Sequence, residues 1–170
     1  SKVKANLNHE ADITRIKNEI TEAKDPYIKL KEKLEKIAEK ETEIKTKLET
    51  DKSELITLNG ELSRCLKDIS LYENDQCPTC LSSLSTDFHT SFKDDLDEKK
   101  NKMELLKLEL TERLTKLNGS KNKLSTIKTD TTTSFNDMKY NLKNLKTQLQ
   151  KLQDESNEEK DDLQEFINSI

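Results

Sequence analysis

Apolar residues spaced alternately by three and four run through most of the first 72 positions. The series is Ile13, Ile16, Ile20, Ala23, Tyr27, Leu30, Leu34, Ile37, Glu41, Ile44, Leu48, Asp51, Leu55, Leu58, Leu62, Cys65, Ile69 and Tyr72. Only Glu41 and Asp51 interrupt its apolar character. A mean step of 3.5 held over this many heptads keeps one stripe of a helix facing a partner, which is the pattern of a left-handed coiled coil. Composition alone would leave disorder open, since 38% of residues are charged, 4% are aromatic and there are only 2 Gly and 2 Pro. The period selects long helices.

The second half repeats the pattern less cleanly. Met103, Leu110, Leu117, Leu124, Thr131, Met138, Leu145 and Leu152 recur every seven residues. Their companions vary: Leu106 and Ile127 fall three residues on, whereas Leu114, Phe135, Leu142 and Leu149 fall four residues on. The register over 113–134 is therefore open. The seam returns at Leu163, Phe166 and Ile170. Between the arms, residues 73–87 carry no heptads and are rich in Asn, Asp, Ser and Thr, which favour turns and caps. Ser85, Thr86 or Asp87 could cap the returning helix. The expected fold is all-α: an ascending arm over 1–72, an apex over 73–87 and a returning arm over 88–170, forming a long antiparallel coiled-coil hairpin. An arm of this length would extend about 110 Å at ~1.5 Å per residue. A fold-back at positions 78 to 79 places Pro26, the one helix breaker of the first arm, near Thr131. That residue lies in the run Thr129-Asp130-Thr131-Thr132-Thr133-Ser134, which consists of poor helix formers. The coincidence of two weak points supports the hairpin and predicts a flexible joint at their level.

The apex contains Cys77-Pro78-Thr79-Cys80. Two cysteines at this spacing can hold one metal ion from a tight turn, and zinc needs four tetrahedral ligands. Cys65 is twelve residues before Cys77, roughly 18 Å along a helix axis and too far to join them. It reads as a small core residue. His89 could join only if 81–88 doubled back, and otherwise reads as a solvated helix residue, as does His9. The economical completion is a second copy of the chain: one zinc ion held by Cys77 and Cys80 of each of two hairpins, joined tip to tip. An intrachain site with His89 and a redox dithiol are the competing readings. The redox chemistry normally sits at a helix N-terminus within a strand-helix-strand fold, and no strand pattern is visible. Asn74, Asp75 and Gln76 read as turn residues whose amides could also bond the thiolates.

The charge balance is close, with 30 basic and 34 acidic residues and a net charge of −4. The apex region and the stretch from Asp154 to Glu165 are acidic. A nucleic-acid binder would show a clustered basic excess, so no direct nucleic-acid site is expected here. No apolar run is long enough to span a membrane, and no leader sequence is visible. Three cysteines without a secretory context imply a reducing compartment, cytoplasmic or, in a eukaryote, nuclear. The chain opens in mid-pattern, as a piece of a longer protein would. Its only glycines, Gly60 and Gly119, stand isolated in helical patterns, so it carries no phosphate-binding Gly-rich loop and is not expected to be an enzyme by itself.

Two long heptad arms around Gln76-Cys77-Pro78-Thr79-Cys80 resemble the zinc hook, the apex of the SMC-like ATPase of the double-strand-break repair nuclease complex. Leu84 and His89 fall near positions where such hooks often carry similar residues. Hooks frequently place Gly after the second cysteine, where this chain has Leu81. The diverged hook and the Lys/Asn/Asp/Ser-rich composition are most similar to the ATPase subunits of tailed-phage recombination endonucleases. The specific likeness covers about 72–90. It implies ATP-binding halves on either side of these residues in the parent protein. It also implies a nuclease subunit and DNA as the parent's partners, and a tethering role in which the hook links two ATPase–nuclease heads to bridge DNA ends. The competing reading is a structural spacer or adaptor in which the cysteine pair is incidental.

Overall fold

The computed structural model describes residues 2–84 and 88–169, without the side chains of 2–7, 88, 89 and several positions beyond 158. The candidate caps Ser85, Thr86 and Asp87, the seam residue Ile170, and the side chains of His89, Leu163 and Phe166 lie outside what is described. The described residues form two helices and the connection between them: α1, Lys2–Glu73, and α2, Phe88–Asn168. Among the described residues there is no strand, only an isolated antiparallel bridge between Gln76 and Ser83. Among the described residues no helix is long and apolar enough to cross a membrane. The chain divides into two compact units, and in each of them a stretch of α1 packs antiparallel against a stretch of α2.

The first unit, Lys40–Leu124, contains the connection between the helices. Its core is the α1 seam residues Leu58, Leu62, Cys65 and Ile69 against Met103 and Leu110 of α2, with Leu55 and Leu96 packed beside them. Leu110 is fully buried. The buried Cys65 thiol donates to the Leu96 carbonyl at 3.3 Å, which completes its role as a core residue. Asp51 interrupts the apolar seam yet is 5% exposed. It is held by Arg113, whose Nε and Nη2 donate to the two carboxylate oxygens at 2.7 Å each. This bidentate hydrogen bond pulls the Asp51 carboxyl below the usual carboxylate range, and the Arg113 charge adds to the effect. A seam carboxylate can therefore be buried because a specific partner reaches it from α2.

The second unit comprises Ser1–Glu39 and Ser125–Ile170. Ile16, Ile20 and Leu145 form its buried centre, with Leu142, Leu149 and Leu152 alongside. Tyr27 stacks on Phe135 with ring centroids 5.0 Å apart. Helix α1 continues through Pro26, and α2 continues through the Thr129–Ser134 run. Thr131 is buried at the seam. Thr129, Thr133 and Ser134 return their hydroxyls to carbonyls four residues back, which lets poor helix formers sit within a helix.

The register differs from the expected one. Pro26 was to face Thr131, but its neighbour Tyr27 meets Phe135, about one helical turn further on. The cause lies in the connection. Helix α1 ends at Glu73, close to Cys77, whereas α2 begins only at Phe88, well beyond Cys80. The ribbon pairs Asp75 with Leu84, so fewer residues separate it from the end of α1 than from the start of α2, and the facing residues on α2 are displaced toward its C-terminal end.

Candidate metal-binding turn

Two left-handed residues, Asp75 and Leu81, shape the described part of the connection. The first closes α1. Asp75 has φ 53°. Its amide donates to the Tyr72 carbonyl at 3.1 Å, and the Gln76 amide reaches back to Leu71 at 2.9 Å. This is a Schellman motif with Asp where glycine is commonest. The Asn74 amide and side-chain amide both donate to the Ser70 carbonyl. The amides of Asn74, Asp75 and Gln76 are thus bonded to helix carbonyls. The expectation that they could bond the thiolates is corrected by this cap.

Beyond the cap the chain forms a short antiparallel ribbon. Leu84 N–H donates to Asp75 O at 2.7 Å, and Cys77 N–H donates to Ser82 O at 2.9 Å. Inside it, the Leu81 amide donates to the Cys77 carbonyl at 2.8 Å. Pro78 fixes its own φ at the start of this turn. Leu81 then takes φ 59°, a conformation that costs a side chain with a Cβ roughly 1–2 kcal/mol. The left-handed conformation falls directly after the second cysteine.

Cys77 and Cys80 therefore leave the same tight turn, Cys77 half-buried and Cys80 exposed, and neither forms a disulfide. The Cys80 sulfur lies 2.9 Å from the Ser82 hydroxyl. Hydrogen bonds from the Ser82 hydroxyl and amide, and then from the Cys77 thiol, hold the Cys80 thiol below its ordinary value. Donors aimed at a sulfur favour the thiolate, the form that ligates metal. Ser82 was not singled out in the sequence; its place two residues after Cys80 is the signal that could have found it. Glu73 pairs with Lys93 at 3.7 Å beside the turn.

Two thiols from one turn, with donors for the sulfur, fit half of a tetrahedral zinc site. Among the described residues no group of three or more His, Cys, Asp or Glu side chains gathers to hold a metal ion. Cys65 is committed to the α1–α2 core, away from the pair. No family model, no curated protein and no solved structure matches this chain.

Proposed function

We propose that this chain is a zinc-dependent linking module. Cys77 and Cys80 would supply two of four sulfur ligands, and the same pair from a second copy would complete the site, so that one ion is shared between two chains. The observation that supports this reading is the cysteine pair: two free thiols leave one hydrogen-bonded turn between two long helices. Bound zinc would hold the four thiolates in one tetrahedron, and metal binding and dimerisation would become one equilibrium. By the resemblance to zinc hooks, such a module would tether two ATPase–nuclease heads of a DNA repair or recombination complex so that DNA ends are bridged.

Light scattering after size exclusion, with zinc analysis of the same peak, tests the proposal. The expected result is a dimer carrying about half an equivalent of zinc per chain, which falls to monomer in a strong chelator and in Cys77→Ser or Cys80→Ser. A metal-free dimer indifferent to chelator would leave a coiled-coil spacer. A monomer that forms a Cys77–Cys80 disulfide under mild oxidant and holds no zinc would leave a redox dithiol.

A further inference from the structure

In the unit formed by Ser1–Glu39 and Ser125–Ile170, charge is sorted by side in a way the net charge conceals. Lys17, Lys24 and Lys31 recur every seven residues on α1, each directly following a seam position. On α2, Lys139 and Lys146 follow the seam residues Met138 and Leu145 in the same way, with Lys143 between them. All six are exposed. The two rows share one side of the unit. One surface groove is lined by Tyr27 together with Lys139, Lys143 and Lys146. A second is lined by Ile13 and Lys17 together with Gln150, and Gln150 also lines the first.

The stack of Tyr27 on Phe135 sets the register. In it Lys24 lies at the level of Lys139, and Lys17 at the level of Lys146. Positions flanking an antiparallel seam ordinarily carry complementary charges, and like charges facing each other are unfavourable. Here both facing pairs are lysine on lysine. Among the described residues none of the six forms an ion pair within 4.0 Å. The intervening positions on this side are Thr21, Ile28, Thr132 and Asn136, with no carboxylate. Asp154 reaches the end of the grooves and accepts a hydrogen bond from Gln150 at 2.8 Å. The opposite flank of α1 carries Asp12, Glu19 and Glu22 together with Arg15, which pairs with Asp12 and Glu19.

We infer that this lysine face binds the phosphate backbone of duplex nucleic acid, without sequence preference. The lysines of the α1 row repeat about every 10 Å, and the α2 row runs alongside. A uniform line of phosphates would relieve the repulsion of both facing pairs at once. Lysines are strongly hydrated point charges suited to phosphates and carry no base-reading fork. A protein partner would need a central apolar or aromatic anchor; Tyr27 in the groove is half-buried and already stacked on Phe135, and Ile28 is the one exposed apolar residue among the intervening positions. The expectation of no nucleic-acid site rested on the summed charge. The sorting by side appears only once the seam register is known.

The test is fluorescence anisotropy of the full chain with a labelled 30-base-pair duplex of arbitrary sequence, over a range of salt. Wild-type protein should bind, with log K falling against log salt by about 0.9 for each phosphate neutralised, up to a slope of about −5 for six lysines. The variant Lys17→Glu/Lys24→Glu should lose at least tenfold in affinity. It should also melt higher than wild type, because both facing pairs become complementary, so lost binding could not be ascribed to lost folding. Unchanged affinity in this variant, or no binding by wild type at low salt, would overturn the inference. So would equal binding of polyglutamate at matched charge, which would reassign the face to an acidic protein segment.

Discussion

At the residue scale, the cysteine pair was legible in the sequence because a Cys-x-x-Cys spacing in a heptad-free segment stands out. Its surroundings were not. Nothing local in the sequence indicates that Leu81 adopts φ 59°, since a γ-branched residue is not expected in the left-handed region. The conformation follows from the ribbon: the Leu81 amide must reach Cys77 O while Ser82 O receives the Cys77 amide. Hook-like sequences that place Gly at this position avoid the strain. Leu81→Gly should therefore be tolerated where most core substitutions are not. Relief of the left-handed strain, offset by the added freedom of the unfolded chain, leaves a net stabilisation of up to ~1 kcal/mol. Chemical denaturation of the metal-free chain measures it, and a loss of stability beyond ~1 kcal/mol would show that Leu81 contributes packing that its 60% exposure does not indicate.

At the element scale, the two helices and the seam of α1 could be read directly, because helix-forming residues and an almost unbroken 3-4 spacing agree. Helix α2 was readable only in part. After Met103 and Leu124, the position four residues on is lysine, Lys107 and Lys128, while Leu106 and Ile127 sit three residues on. A one-dimensional pattern cannot choose between these. In three dimensions neither candidate is buried at these two levels, since Lys107 and Lys128 are exposed as well, and the seam is carried by the four-residue companions of the other heptads. Leu114, Phe135, Leu142 and Leu149 are at least partly buried, whereas Leu106 and Ile127 are 39% and 44% exposed. Substitution separates the two sets. Leu110→Ala, at a fully buried position, should cost about 2–5 kcal/mol, while Leu106→Ala should stay within about 1 kcal/mol. Thermal melts followed by circular dichroism at 222 nm provide the comparison. Equal losses at the two positions would mean that α2 presents a different face to α1.

At the scale of the whole molecule, two sources of free energy are separable. Burial along the seam is local: the core around Leu62 and Met103 and the one around Ile16 and Leu145 lie in different units. Neither includes Cys77 or Cys80. In the proposed module, linkage through a shared metal ion would be set by mass action and would add only when the metal is present. Cys80→Ser should accordingly leave the melting temperature of the chelator-treated chain within the range of ordinary surface substitutions, about ±0.5 kcal/mol, while abolishing metal-dependent dimerisation. Leu110→Ala should do the reverse. It should melt several degrees lower, yet still form the zinc-linked dimer when assayed well below its transition, because the ribbon around the cysteines is closed by bonds among residues 75–84. Melting curves and light scattering on the same two variants, each with zinc and with chelator, give the four measurements needed. A fall in metal-free stability on changing Cys80 would mean that the turn itself contributes to holding the helices together. The tip would then be a folding element as well as a ligand, and linkage and stability would have to be treated as one coupled equilibrium.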